Sequence, residues 1–222
     1  MPKKLVRTER TRVRRQSDRA HYEQDAIYAA LDDAVFATIA FYDGHNSHAI
    51  PTAVWREDDY LYIHGSNGSR LLKFLQTGGQ ACVSVTHLHA LVLARSALHH
   101  SMNYCSVSIY GSFETIAEAD KNQHLQSFLE HWLPGRWQHV RAPSKKELAA
   151  TTILRMKITE AVLKSRQGPP MDAEADMEQQ VWAGVAPLQI QWGNLVQVPE
   201  QSDTNLPGQS LRLFHNAVIL SP

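Results

Sequence analysis

The sequence predicts a mainly β fold, in which the strands form a β-barrel with peripheral helices. Three observations predict this class. Short segments alternate apolar and polar residues, with the period of two that a half-buried strand requires. Turn sequences such as Asp43-Gly44-His45-Asn46 separate these segments. Helical patterns occur at only a few points, whereas a parallel α/β sheet would place one after nearly every strand, so the barrel is favoured.

The predicted elements follow in chain order. The first is a helix at 23–34, with Ile27, Tyr28 and Leu31 on one face. Further helices are predicted at 70–76, 117–132 and 144–149. Strands are predicted at 35–42, 48–56, 60–64, 80–87 and 103–116, with one long final strand at 152–164.

Composition limits the class of protein. The 222 residues fit one elaborated domain, which at this size buries about 70% of the unfolded chain's surface. The 22 basic and 22 acidic residues balance, which argues against a general nucleic-acid binder or a polybasic membrane protein. There is no apolar run close to the ~20 residues of a membrane helix, and no secretion signal, so we expect a cytoplasmic protein. Cys82 and Cys105 are too few for a disulfide scaffold and are expected to be buried thiols.

The chain divides into a leader, a main domain and an extension. Residues 1–20 hold eight Lys and Arg residues against Glu9 and Asp18. Such a leader can bind nucleic acid, but wrapping over the protein surface is the favoured interpretation. The main domain is expected at 21–188, with an acidic connector at 167–180 inside it. Residues 189–222 form a C-terminal extension, loop-rich apart from 211–220, to which no function is assigned.

Residues 60–74 carry the clearest local signal for a ligand. The predicted strand breaks at Gly65, and Gly65 and Gly68 allow a tight turn. Ser69 then stands near the N-cap of a helix, where unpaired backbone N–H groups favour an anion. Arg70 and Lys73 add positive charge on one helical face. These features predict a phosphate-binding loop; an ordinary strand-to-helix turn with a solvated Arg is the alternative.

A second segment, 94–111, has the sequence ARSALHHSMNYCSVSIYG. It carries too many hydrogen-bonding side chains for a plain core strand and too much β-propensity for a plain loop. We therefore expect a strand that lines a polar ligand.

With these segments in place, the chain resembles the flavin-nucleotide-binding branch of the pyridoxamine 5′-phosphate oxidase-like family, which are split β-barrels that bind FMN. The matching pieces cover roughly residues 10–190 in order. They are RVRRQSDRAHY (12–22), IPT (50–52), LYIHGSNGSRLLK (61–73), LVLARSALHHSMNYCSV (91–107), PGRW (134–137), KELAATTIL (146–154) and VWAGVAPL (181–188).

The resemblance implies a homodimer with FMN at the subunit interface. The flavin phosphate would lie against Ser69, Arg70 and Lys73, with Ser66 in the same loop and His64 at its mouth beside the flavin. The ring would pack over Pro51 and Thr52. The residues expected around the rest of the ring are Arg95, Met102, Asn103, Tyr104 and, as an aromatic wall contributed by the partner subunit, Trp182.

The twelve histidines raise the alternative of a metal. His87 and His89 stand two apart on a predicted strand and project from one face. The histidine clusters lack an acidic partner and a third ligand at a recognisable spacing, so no metal site is expected. No nucleophile elbow, Cys-His signature or paired carboxylates are present, which suits a protein whose cofactor does the chemistry.

The substrate does not follow from the resemblance. The classical oxidases hold their substrate phosphate with a C-terminal pair of basic residues, whereas 181–188 carries no charge and the next Arg is Arg212. The expected function is therefore an FMN-dependent oxidoreductase acting on an unknown small molecule, with no catalytic residue assigned. A non-catalytic flavin carrier or sensor, and a haem-binding or haem-degrading split barrel, remain the alternatives.

Overall fold

Eleven strands and four α-helices make up the part of the chain that the computed structural model describes, residues 2–193. The helices are α1 (Gln24–Asp32), α2 (Arg70–Gln76), α3 (Lys121–Trp132) and α4 (Lys145–Ala150). The strands are β1 (Ala20–His21), β2 (Phe36–Tyr42), β3 (Ser47–Ala53), β4 (Trp55–Glu57), β5 (Tyr60–Ser66), β6 (Ala81–Leu93), β7 (Ser101–Gly111), β8 (Glu114–Thr115), β9 (Thr151–Lys157), β10 (Glu160–Arg166) and β11 (Gly184–Pro187).

The strands form two antiparallel sheets. The larger sheet has the order β1-β10-β7-β6-β2-β3, and β11 also pairs with β6. The smaller sheet has the order β4-β5-β9-β8. The chain passes between the sheets at Val54 and near Ile158, which are both buried. This arrangement confirms the predicted mainly β fold with peripheral helices.

The core lies between the two sheets, because every second residue of each strand faces inward. From the larger sheet it receives Ile39, Val83, Ile109 and Leu163. The smaller sheet contributes Leu61, Ile63, Leu154 and Met156, while α1 and α2 add Ile27, Leu31, Leu71 and Leu75.

Three predicted strands are divided differently in the structure. Residues 48–56 form β3 and β4, and residues 152–164 form β9 and β10, each pair belonging to different sheets. Residues 103–116 likewise become β7 and β8. Alternation shows which residues are buried and not which sheet they join, and Val54 and Ile158 continue the buried pattern through the junctions. β6 extends to Leu93, well beyond the predicted end at residue 87.

The leader lies against the barrel. The Leu5 backbone N–H donates to the Tyr22 carbonyl at 2.8 Å, and the Tyr22 hydroxyl donates to the Thr11 carbonyl at 2.8 Å. Arg10 forms an ion pair with Glu160 of β10, and Thr11 is fully buried. These contacts use part of the leader to cover the edge of the larger sheet.

Both cysteines are free thiols. Burial raises the pKa of the Cys105 thiol to about 11 and also raises the pKa of Cys82, so neither thiol is activated as a nucleophile. Within residues 2–193, no helix is long and apolar enough to cross a membrane. The predicted helical pattern at 211–220 and most of the extension lie outside the described residues.

Candidate functional site

The chain crosses from the larger sheet to the smaller one between β3 and β4. Only Val54 separates these two strands, and β4 pairs with β5 so that Trp55 lies opposite Tyr62. The end of β3 therefore lies beside β5. β5 continues into the loop 66–69 and then α2, so β3 lies beside the strand that leads to the predicted phosphate loop.

This loop is fixed by hydrogen bonds from both sides. Within it, the Ser69 N–H donates to the Ser66 carbonyl at 2.9 Å, and the Gly68 N–H donates to the Ser66 Oγ at 3.2 Å. From outside, Asn67 donates its amide to the Ala149 carbonyl at 2.8 Å and accepts from the Thr152 hydroxyl at 2.8 Å. Sequence reasoning missed Asn67, because its partners lie more than 80 residues away.

Ser69 caps α2, as predicted, because its Oγ accepts from the Leu72 N–H at 3.5 Å. Packing leaves little room beside Gly65, since a Cβ there would lie 3.1 Å from the Leu72 side chain of α2.

Arg70 and Lys73 present their charges on the solvent side of α2. Leu71, Leu72 and Leu75 occupy the buried side, so Arg70 and Lys73, three residues apart, share the exposed one. Neither cation has an ion pair or hydrogen bond to another described residue. Since α2 has only seven residues, the side chains of Arg70 and Lys73, rather than the N-terminus of the helix, carry most of the attraction for an anion.

His64 lies on the face of β5 that turns away from the main core. Its ring packs edge-on against Phe128 of α3, with centroids 4.5 Å apart, and against Trp55 at 5.8 Å. Its Nδ1 is buried and has no hydrogen-bond partner among the described residues. Burial lowers the pKa of His64, which favours the neutral imidazole.

Pro51 and Thr52 point to opposite faces of β3. Pro51 pairs with Thr38 and is exposed, whereas Thr52 pairs with Ala37, whose side chain faces the core. Adjacent strand residues alternate between faces. A ring on the outer surface can therefore pack on the side chain of Pro51, but it meets Thr52 only through the backbone.

A second cluster lies at the far end of β6 and β7. The pairing shifts between Leu88 and Ala90, so His89 forms a bulge. Beyond the bulge, Met102 pairs with Leu91, and both side chains are 50% exposed. Tyr104 pairs with Leu88 on the same outer face. Nearby, Trp182 is 68% exposed, and its ring lies so close to Gly184 that a Cβ there would be 2.8 Å from it.

Arg95 and Asn103 are engaged in holding the connector 167–180. The Asp172 carboxylate, whose side chain is 2% exposed, accepts from the Arg95 guanidinium and backbone N–H, both at 2.8 Å. Asn103 is 8% exposed, accepts from the Arg166 guanidinium and donates to the Gly168 carbonyl at 3.2 Å. The expectation that Asn103 reaches the flavin edge does not match its position, because strand alternation turns it inward between Met102 and Tyr104.

The two clusters are separated within one chain. Thr38, the partner of Pro51, pairs with Ser84 of β6, whereas Met102 pairs with Leu91. Seven residues along a strand span roughly 23 Å at ~3.3 Å per residue. Within one subunit, Pro51 and Met102 therefore lie far apart along the larger sheet.

This fold, with its strand-loop-helix arrangement at 60–76, defines a class of protein. The sequence profile described as pyridoxamine 5′-phosphate oxidase matches residues 23–165, and the chain belongs to this family. The predicted family resemblance is thus confirmed.

Two solved structures share the family and most of the chain. The flavocytochrome Anf3 from Azotobacter vinelandii is 35% identical, with a TM-score of 0.87, covering 93% of this chain and 98% of that chain. The FAD and haem binding protein from Mycobacterium smegmatis is 36% identical, with a TM-score of 0.83, covering 87% of this chain and 98% of that chain. A search of the curated proteins finds no match.

A more distant structure shares the fold alone. A candidate 5-nitroimidazole antibiotic resistance protein from Bacteroides thetaiotaomicron is 18% identical, with a TM-score of 0.56. The alignment covers 65% of this chain and 85% of that one.

Proposed function

We propose that this protein binds a flavin nucleotide beside β3, β5 and the loop 66–69 and uses it as an oxidoreductase on a small molecule. The observation that carries the proposal is a pair of exposed cations, Arg70 and Lys73, that no residue among 2–193 pairs with and that lie beside a loop held by Asn67. An unpaired, exposed guanidinium on a fixed helix suits a phosphate, because its donors match the phosphate edge.

FMN is the smallest ligand that fits this proposal, since it joins one phosphate to the isoalloxazine ring. FAD carries the same phosphate chemistry, and the two relatives reported above at 35% and 36% identity support a flavin: one is a flavocytochrome and the other binds FAD. When bound, the flavin would supply the electron chemistry. The residues of this chain would hold the phosphate, support the ring at Pro51 and exclude water at His64.

A homodimer would complete the site. The side chains of Met102 and Trp182 are exposed and apolar, but Met102 lies roughly 23 Å along β6 from the level of Pro51, by the ~3.3 Å rise per residue. A second copy related by a two-fold axis would place its Trp182 beside the first copy's phosphate loop, and the first copy's Trp182 would lie beside the loop of the second. Each flavin would then contact both subunits.

Flavin binding is tested by comparing FMN with riboflavin, which lacks the phosphate. In Arg70→Ala, FMN affinity should fall about tenfold or more, because a charge-assisted hydrogen bond contributes roughly 1.5 to 3 kcal/mol. Riboflavin affinity should change much less. Fluorescence quenching measures both ligands, and Lys157→Ala, at the other end of β5 and β9, is the matched control. Equal losses for the two ligands would show that Arg70 does not contact the phosphate.

The composite site is tested by mixing two defective variants. Light scattering should first give twice the 25.0 kDa chain mass. If Trp182 contributes across the interface, a mixed dimer of Arg70→Ala and Trp182→Ala holds one intact site and one doubly altered site. Unfolding and refolding the mixture should therefore recover high-affinity FMN binding in a fraction of sites. No recovery from a verified mixed dimer would place both residues in one subunit's site.

Turnover distinguishes an oxidoreductase from a flavin carrier. An oxidoreductase should reduce its bound flavin with a nicotinamide donor and reoxidise it repeatedly without releasing it. Stopped-flow absorbance of the flavin, with gel filtration afterwards, measures both properties. Release of the flavin to an acceptor protein without repeated turnover would favour the carrier.

Haem, bound in addition to the flavin, is a second candidate ligand. Both relatives support it, one described as a flavocytochrome and the other as binding haem. The observation in this chain that favours it is the buried ring nitrogen of His64, which has no partner among the described residues. A neutral, unpartnered imidazole is the form that ligates iron.

A further inference from the structure

Most histidines of the described chain already have partners for a ring nitrogen. His48 bonds to Asp43, His87 to the Ala30 carbonyl and His124 to Glu57. The same holds for His21, His99 and His100, which bond to Ser165 and Ser96. Among residues 2–193, only His64 and His89 have a buried ring nitrogen without a hydrogen-bond partner.

His64 differs from His89 in its surroundings. A second buried polar atom without a partner, the indole Nε1 of Trp132, belongs to the same aromatic cluster. Phe128 links the two, with ring centroids 4.5 Å from His64 and 5.3 Å from Trp132. His89 instead lies in the β6 bulge near His87, with ring centroids 6.4 Å apart.

Two such nitrogens in one cluster need an explanation, because an unsatisfied buried polar group costs about 1–3 kcal/mol. An imidazole can ligate a metal through its lone pair, whereas an indole N–H can only donate. A ligand that offers both a metal ion and an acceptor group would satisfy both residues. Haem has this combination, since its iron takes an imidazole and its propionates accept hydrogen bonds.

We propose that His64 is the axial ligand of the haem iron, and that the Trp132 indole donates to a polar edge of the same group. This inference rests on the proposed haem binding. Ring packing by Trp55 and Phe128 would fix the orientation of the imidazole. His64 stands two residues before Ser66 of the phosphate loop, so haem and flavin would be close neighbours.

The test is titration of the purified protein with ferric haem, read as the Soret and visible absorbance bands. Wild type should give the spectrum of a histidine-ligated haem with one haem per subunit. His64→Ala should weaken haem binding at least tenfold and lose that spectrum. Added imidazole should restore the spectrum of a histidine-ligated haem in His64→Ala. A purely structural role of His64 would not predict this recovery. His89→Ala is the matched control and should bind haem as wild type does.

His64→Met guards against misfolding of the alanine variant, because it keeps side-chain volume and offers a thioether ligand. It should shift the spectrum to that of a methionine-ligated haem. Unchanged spectra in both His64 variants, or loss of binding in His89→Ala instead, would overturn the assignment. FMN titration runs in parallel on wild type. Flavin binding without a Soret band would overturn the haem inference alone. Haem binding without flavin binding would overturn the flavin proposal alone.

Discussion

Arg70 and Arg95 are both arginines that the sequence marks as candidate ligands, but they stand in opposite environments. Arg70 is exposed on α2, and no described residue pairs with it. Arg95 is fastened at 2.8 Å to Asp172, whose side chain is almost fully buried. The first arrangement leaves a charge available to a ligand, whereas the second satisfies the charge within the chain. The comparison teaches that residue type and strand context do not identify a cation that binds a ligand. What matters is whether an acidic residue of the same chain already pairs with that cation.

The largest effect is expected from Arg95→Ala. This change leaves the Asp172 carboxylate buried without its cation, and unpaired buried charges are strongly destabilising. The melting temperature should fall by several degrees, while the preference for FMN over riboflavin stays. Combining Arg95→Met with Asp172→Leu should recover much of the loss, since no charge is left unpaired. If Arg95→Ala instead weakens FMN selectively at unchanged stability, Arg95 belongs to the flavin site.

Asn103→Leu should act on the same region, with a somewhat smaller effect. It removes the acceptor for the buried Arg166 guanidinium and the donor to the Gly168 carbonyl, at about 1 to 3 kcal/mol. Urea denaturation should show this fall in the free energy of unfolding. The flavin absorbance spectrum should be unchanged, because Asn103 faces inward. A shifted flavin spectrum would support the original expectation that this side chain reaches the ring.

Lys73→Ala probes the other region and should have a moderate effect on binding alone. An exposed ammonium without a fixed fork of donors contributes about 0.5 to 1 kcal/mol, or about two- to fivefold in FMN affinity. Thermal stability should stay within the error of wild type, in contrast to Arg95→Ala. The salt dependence of FMN binding gives a second measurement, which should be weaker in the variant.

The smallest effect is expected from pH. Burial lowers the pKa of His64 below its ordinary value of 6.5, so the unfolded chain binds more protons there as the pH falls through 6.5. The free energy of unfolding should therefore decrease on acidification from pH 7, and His64→Phe should make that decrease shallower. The stability contributed by the pair of Arg95 and Asp172 should decrease only at lower pH. The reason is that hydrogen bonds from Arg95 outweigh the effect of burial and lower the pKa of Asp172 from 3.8. Identical pH profiles for wild type and His64→Phe would contradict the buried neutral imidazole.

The sequence predicted the turn at 65–69 and α2 well, because the forces that form them are local. Ser69 caps a helix whose bounds, Arg70–Gln76, match the prediction, and its bond to Leu72 spans three residues. The apolar stripe of Leu71, Leu72 and Leu75 sets which face is buried and leaves Arg70 and Lys73 outside. The mainly β class and the family also followed from the sequence.

The sequence alone therefore determined the class of fold, the family and the cations that remain exposed, since these depend on periodicity, capping and turn residues within a few positions. Only the tertiary structure decided that Arg95 meets Asp172 and that Asn67 is held by Thr152, because those partners are 77 and 85 residues apart. It likewise decided that Asn103 turns inward and that the Nδ1 of His64 is buried, since strand register fixes the face of Asn103 and the packing of α3 covers this nitrogen. Pairing across such separations depends on how the sheets close, and no local pattern of residues encodes that closure.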